Sequence, residues 1–248
     1  MAIADELVPV LKKLRLSGVL STLDLRTSEA VDSDLSHTEF LFRLCTDEVE
    51  RRESKQLEMR MRRANFENAK RIEDFEWSFN PTVPKAKVVD LATCHFVEKK
   101  ENVLLIGPTG VGKSHIAQAI GERACRAGHS VCYVSAHRML SQLRAARADQ
   151  SHDKRMLRFT SPDILIVDDL GLRPLEGDEP IDLYEIIRAR YERGSMIVTS
   201  NRALEEWYPL FRDELMASAA MDRLLHHAHV VVMEGRSYRN PSRPSETA

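Results

Sequence analysis

The sequence predicts an α/β protein, a parallel β-sheet flanked by helices, preceded by a small all-helical domain. Three observations predict it. Residues 5–71 carry helical apolar spacing and no β pattern. From residue 102 onward, short continuous apolar runs alternate with helical stretches, as in a sheet buried on both faces. Between the first such run and the first such helix lies Gly107-Pro108-Thr109-Gly110-Val111-Gly112-Lys113-Ser114, which fits the glycine-rich phosphate loop.

In the front segment, Leu7, Val10, Leu11 and Leu14 fall at helical spacing, and Val19, Leu20 and Leu23 continue after Ser17-Gly18. Ser36 or Thr38 can cap a further helix, with Glu39 in its first turn and Phe40, Leu41, Leu44 and Val49 as its apolar stripe. That stripe fades into a charged stretch, residues 48–63. It reads either as a solvated helix with i,i+4 ion pairs or as a basic face for a nucleic acid or a partner. The expected division is a helical domain over 1–72, an α/β domain over 73–240 and a Pro- and Ser-rich disordered tail over 241–248. Around residues 75–84, aromatic residues and Pro81 and Pro84 break the helical period. Phe79 and Pro81 are candidates to lie against a nucleotide base, and plain packing accounts for Trp77 and Phe79 equally well.

Asn102-Val103-Leu104-Leu105-Ile106 is the first expected strand and Ile116-Ala117-Gln118-Ala119-Ile120 begins the helix after the loop. Further strands are expected at 130–134, 164–169, 196–201 and 230–232. Helices are expected at 136–159, 182–193 and 211–227.

Composition narrows the classes. The chain has 248 residues, 43% hydrophobic, enough for a sizeable core. Charged residues nearly cancel to a net charge of -2, so nucleic-acid binding would need local patches. Cys45, Cys94, Cys125 and Cys132 have no paired spacing, which argues against zinc and disulfides and suits a reducing cytoplasm. Residues 1–10 hold Asp5 and Glu6 and no long apolar run, so no signal peptide is expected. No stretch approaches the roughly 18 apolar residues of a membrane span.

The loop's chemistry assigns roles. Glycines let successive N–H groups converge on a phosphate at a helix N-terminus. Lys113 can reach the β- and γ-phosphates, and Ser114 can place its hydroxyl on Mg²⁺. Asp168 closes an apolar strand and would hold Mg²⁺, directly or through water. Asp169, next in the chain, can orient or deprotonate an attacking water. Asn201 ends the fourth strand and could fix that water, with Thr199 and Ser200 as weaker neighbours. Arg223 is a candidate to stabilise γ-phosphoryl charge from a neighbouring subunit, with Arg212 as its competitor. Arg236 and Arg239 follow the last strand and are candidates to sense phosphate in cis. His226, His227 and His229 lack the carboxylate or cysteine pattern of a metal site, and Cys94-His95 lacks it too. The locally basic run after the second strand, with Arg138, Arg144, Arg147, Lys154 and Arg155, could contact a DNA backbone with weak sequence preference.

The ordered set of motifs resembles the IstB family of insertion-sequence ATP-binding proteins, in the DnaA/DnaC branch of AAA+ ATPases. The resemblance rests on the loop through His115, Leu165-Ile166-Val167-Asp168-Asp169-Leu170-Gly171, Ile197-Val198-Thr199-Ser200-Asn201-Arg202, Asp222-Arg223-Leu224-Leu225-His226 and Gly235-Arg236-Ser237-Tyr238-Arg239. Leu11-Lys12-Lys13-Leu14-Arg15-Leu16-Ser17-Gly18 adds a likeness at the front. It implies an AAA+ fold, ATP with Mg²⁺ held by the loop (His115 included), a homo-oligomer, DNA binding and a partner transposase of the IstA type. By that likeness Asn201 stands at the sensor I position. Asp169 stands where many relatives carry Glu, so slow hydrolysis, stimulated by DNA or assembly, is expected. The residues after the last strand leave no room for the helical lid of many AAA+ proteins. A DnaC-like helicase loader and a nucleotide-switched DNA scaffold with negligible turnover share the same motifs.

Overall fold

The computed structural model describes residues 3–68, 70–211 and 213–239, with side chains from residue 6 on. The competitor Arg212 and the tail expected over 241–248 lie outside the described residues. The chain divides between Met59 and Arg60 into two compact units.

The first unit is helical. It holds α1 (Ile3–Lys13), α2 (Ser17–Asp32) and the greater part of α3 (His37–Ala64). Arg15 and Asp34, both at positive φ, turn the chain between helices. Leu11, Val19 and Leu44 form a small core, with Leu16, Leu20, Leu23 and Phe40 against it. Helix α2 has no side-chain cap of its own. The buried Glu48 carboxylate from α3 supplies one, accepting the N–H of Gly18 at 2.5 Å and of Val19 at 3.2 Å. Gly18 permits this approach, because a Cβ there would fall on the backbone of Asp47 and Glu48. Burial raises the Glu48 pKa, but Arg52 and the two N–H donors bring it below the ordinary value. The charged stretch is thus partly internal: Arg52 pairs with Glu48 at 2.7 Å, and Arg51 donates to the Ser17 hydroxyl at 3.0 Å.

The second unit is a doubly covered parallel sheet. Short helices α4 (Lys85–Leu91) and α5 (His95–Glu98) lead into β1 (Val103–Ile106). Then follow α6 (Lys113–Arg126), β2 (Val131–Ser135), α7 (Ala136–Ala148), α8 (His152–Thr160) and β3 (Ile164–Asp168). The chain goes on through α9 (Glu179–Arg190), β4 (Ser195–Ser200), a 3₁₀ segment (Leu204–Leu210), α10 (Glu214–Leu225) and β5 (His229–Val232). Strand order is β2-β3-β4-β1-β5, every pair parallel. The inner strands are buried along their whole length, which explains their unbroken apolar runs. Register sets Ser135 beside Asp168, Val167 beside Val198, and Ile106 between Ser200 and Val232.

Some boundaries differ from the sequence reading. The helix expected over 136–159 is two helices, broken where Gln150 takes a positive φ and the Asp149 carboxylate accepts the Ser151 N–H at 3.0 Å. Helix α9 begins at Glu179, with Pro180 in its first turn, rather than at 182. Helix α10 begins at Glu214, where Asp213 caps the Met216 N–H at 2.7 Å, rather than at 211. Among the described residues no helix is long and apolar enough to cross a membrane.

Candidate functional site

The C-terminal edge of the sheet gathers the chemistry. β1 runs straight into the phosphate loop, and the Gly107 N–H donates to the Ser200 carbonyl at 3.2 Å, tying the loop's start to the end of β4. Gly107 approaches the chain after β5 so closely that a Cβ would fall on the Met233 carbonyl. The loop ends in α6, whose first N–H groups have no intrahelical partner.

Lys113 is only 5% exposed. Its Nζ donates to the carbonyls of Gly107 at 2.7 Å and Pro108 at 2.8 Å, across the mouth of the loop. Burial pushes its pKa down, against the pull of Asp169 and Asp168. An ammonium has three donors, so one remains for a ligand. A partly desolvated cation, a run of turned backbone and a helix N-terminus fit a polyphosphate. Ser114 lies in the first turn beside Lys113. His115 turns elsewhere: its ring bonds the Arg71 carbonyl at 3.0 Å and meets Phe75 edge-on.

Asp168 is buried at the end of β3. Tyr133 from β2 donates to its Oδ2 at 2.6 Å, and Thr199 from β4 donates to Oδ1. Both donors fix the carboxylate and leave each oxygen a further lone pair, as a hard cation such as Mg²⁺ needs. The Tyr133 pKa is driven upward by burial and by Asp168, so the phenol stays a donor. Thr199, the weaker neighbour in the sequence reading, is therefore the residue that joins the two acidic positions. Its Oγ1 also accepts the Asp169 N–H at 2.9 Å.

Asp169 takes a left-handed φ of 57°. That bend turns its side chain out of the strand to an exposed position beside Asp168. Burial of part of the carboxylate and the charge of Asp168 raise its pKa. Asn201 is exposed, directly after β4 and next to the start of the loop. Ser200 is engaged in the core, donating to the Leu170 carbonyl at 2.7 Å.

Arg223 and the late histidines are placed away from this edge. Arg223 donates to the Ala219 carbonyl at 2.7 Å and lies 5.8 Å over the Tyr184 ring. It lines a cleft with Lys99, Lys100, His226 and His227 near Asn102, which precedes β1. It therefore stands at the opposite end of the strands from its own phosphate loop. His229 bonds Glu101 at 2.7 Å, and His226 bonds the Tyr191 hydroxyl at 3.1 Å. In the basic run, Arg138 and Lys154 are exposed and Arg155 is half-buried. Arg144 is 3.9 Å from Glu179. Arg147 is engaged by Asp182 and lies 3.6 Å from Asp178, which ties α7 to α9.

Comparison with known proteins agrees with this geometry. The profile of the IstB-like ATP binding protein family matches residues 9–245. An insertion-sequence ATP-binding protein of Mycobacterium tuberculosis is 43% identical over 100% of this chain and 99% of its own. The ATP-binding protein of insertion sequence IS21 from Pseudomonas aeruginosa is 32% identical over 94% and 88%. Among solved structures, AMPPCP-bound DnaA from Aquifex aeolicus superposes with a TM-score of 0.58 at 20% identity, over 71% of this chain and 53% of that one. The DnaC helicase loader superposes with a TM-score of 0.53 at 18% identity, over 60% and 88%. These two likenesses concern the AAA+ fold alone.

Proposed function

The chain belongs to the IstB-like ATP-binding protein family, and from that premise we propose that it is an ATP-hydrolysing helper of transposition. In this reading it oligomerises on duplex DNA and recruits or stimulates a partner transposase of the IstA type. The observation that carries the hydrolytic part is the joint placement of Lys113, Asp168, Asp169 and Asn201 on one edge of the sheet.

Bound MgATP would supply the transferable phosphoryl group and the metal charge. The chain's own residues do the rest. Lys113 and the N–H groups from Gly110 to His115 hold the phosphates. Ser114 and Asp168 would hold Mg²⁺, and Tyr133 and Thr199 fix the Asp168 carboxylate. Asp169 orients a water and accepts its proton, and Asn201 positions that water. Arg223, too far from its own loop, serves the site of a neighbouring copy. Arg138, Arg144, Lys154 and Arg155 contact DNA phosphates, while Arg147 works mainly inside the fold. The helical front domain, 1–72 in the sequence reading, provides contacts to a sister copy, DNA or the partner.

Phosphate release with and without duplex DNA tests this reading. DNA should raise turnover in the wild type. In Arg223→Ala the loss should appear only under conditions where the protein assembles. Equal loss in isolated subunits would assign Arg223 a cis or folding role. Capture of a replicative helicase in place of a transposase would make the chain a helicase loader, and negligible turnover with DNA would make it a scaffold.

A further inference from the structure

The chain ahead of β1 is laced to α6 at successive points. Arg60 donates from Nε to the Cys125 carbonyl at 2.9 Å. The Phe66 ring lies where a Cβ on Gly121 would fall, so that glycine lets the ring reach the helix backbone. The N–H groups of Glu67 and Asn68 donate to the Gln118 side-chain oxygen at 3.1 Å and 3.3 Å. The His115 ring donates to the Arg71 carbonyl at 3.0 Å. Phe75 lies against Gly112, where a Cβ would strike its ring. Positions 125, 121, 118, 115 and 112 are three or four residues apart, which is one side of a helix. The lead-in therefore runs opposite to α6 and ends on the phosphate loop.

The last contact differs in kind from the others. The earlier ones hold regular helix, and Phe75 touches the loop itself. Gly107, Gly110 and Gly112 all take a positive φ. Backbone so rich in glycine loses much freedom when it is fixed around a ligand. Two of the three turns are braced by the chain after β5. Gly107 lies against the Met233 carbonyl, and the Gly110 carbonyl accepts the Tyr238 N–H at 2.9 Å. At Gly112, the N-cap of α6 with φ 105°, the nearest outside atoms to an added Cβ all belong to Phe75. Phe75 is steadied in turn by two rings, Trp77 at 4.7 Å and His115 edge-on at 5.3 Å. The Lys85 ammonium lies 5.5 Å over Trp77.

We propose that Phe75, steadied by His115 and Trp77, is a positioning residue of the phosphate site that holds the turn at Gly112 in the shape that receives the phosphates. The proposal rests on the ATP-site reading above. An apolar ring supplies neither charge nor proton to the reaction. It acts by removing freedom that the loop would otherwise lose on binding, so it changes affinity and leaves the chemical step alone.

Calorimetric titration of the full chain with MgATP, phosphate release at saturating MgATP and the emission of Trp77 test it together. Phe75→Ala should weaken MgATP about tenfold, with turnover at saturation within about twofold of wild type. Phe75→Leu keeps apolar bulk against Gly112 and should recover part of the affinity. His115→Gln keeps a donor for the Arg71 carbonyl and should bind within about threefold of wild type. The chain has two tryptophans, Trp77 and Trp207, and Trp207 is closed in the core. Magnesium tripolyphosphate has no base to stack on an indole. It should still change the wild-type emission, and the change should vanish in Trp77→Phe and shrink in Phe75→Ala. A response to MgATP without one to tripolyphosphate would put the aromatic pair on the base and overturn the proposal. Wild-type affinity with lowered turnover in Phe75→Ala would make the ring a part of the fold only, and would overturn it too. Wild-type affinity and turnover in Phe75→Ala, with affinity lost in Lys113→Ala, would overturn the proposal alone. Wild-type affinity in both variants would overturn the ATP-site reading beneath it.

Discussion

Among the described residues of the second unit two cations are buried, at opposite ends of the sheet. Lys113 is 5% exposed at the C-terminal edge and Arg190 is 1% exposed at the N-terminal edge. Burial lowers both pKa values, that of Arg190 to about 10, so Arg190 stays charged at neutral pH. Their partners differ. The Arg190 Nη groups donate to the carbonyls of Phe159, Thr160, Pro162, Asp163 and Ser195. It thereby closes the end of α8, the start of β3 and the start of β4 around one charge. Lys113 donates to two loop carbonyls and faces two carboxylates. A buried cation whose Nη groups are spent on five fixed carbonyls, with only the enclosed Nε left unpartnered, is a structural part. One with a donor left and unneutralised carboxylates nearby is built for a ligand.

Mutation of each cation should therefore fail in a different way. Arg190→Ala should have the largest effect, because carbonyls from three segments lose their shared cation in a closed space, Asp163 keeping only the Ser195 N–H at 2.9 Å. A loss of about 3–5 kcal/mol is expected in urea unfolding. Arg190→Lys should recover little of it, since a point charge cannot reach the same set. A variant within 1 kcal/mol of wild type, roughly one ordinary hydrogen bond, would remove the contrast.

Lys113→Ala comes next. MgATP affinity should fall at least about a hundredfold, while the melting temperature stays within a few degrees, because the fold loses only two loop contacts. Retained affinity would end the phosphate-cradle role. A collapse of stability would make Lys113 a structural cation like Arg190.

The same distinction applies to the carboxylate's supports, with a smaller effect. Tyr133→Phe removes one of the two hydroxyls on Asp168 and leaves its ring against Phe66. Mg²⁺-dependent ATP binding should weaken about tenfold, read from Mg²⁺ titrations at fixed ATP, with stability nearly unchanged. An unchanged Mg²⁺ dependence would leave Thr199 as the support that matters.

How far this could be read in the sequence follows from the kind of signal each residue leaves. The strands were legible because burial on both faces leaves unbroken apolar runs such as Val103-Leu104-Leu105-Ile106. Lys113 and Asp168 were legible as candidates because a short chain of neighbours surrounds them. Arg190 was not, because five carbonyls from three separate segments leave no local pattern. In the sequence it is one more basic residue near a helix end. Tyr133 and Thr199 sit in strands where aromatic and β-branched residues are expected anyway, so their hydroxyls carry no separate mark. The 3₁₀ segment Leu204–Leu210, with Pro209 inside it, follows no helical period. The apolar Phe211 drew the expected helix forward past its true cap at Asp213. The segment after β5 was visible only as Arg236 and Arg239; the pair of hydrogen bonds that joins Asn80 to the Arg236 backbone spans most of the second unit's sequence.

The finest test concerns pH. Burial and the Asp168 charge raise the Asp169 pKa, whereas Lys113 and Arg239 lower it, and the net direction is upward. Asp169 can accept a proton only when ionised. Turnover should thus hold above its raised pKa and fall as pH drops through it, at a pH where an ordinary aspartate, near about 3.9, is still charged. Arg239→Ala removes a charge that favours the ionised form, so its acid limb should move to higher pH. Arg190 is not among the charges that act on Asp169, so Arg190→Lys should leave the limb in place wherever the protein still folds. Near neutral pH the shift changes little, which makes it the smallest effect and the most specific one. An acid limb identical in wild type and Arg239→Ala would show that the Arg239 charge does not reach the water-orienting carboxylate. An acid limb that survives in Asp169→Asn would assign the titration to another group.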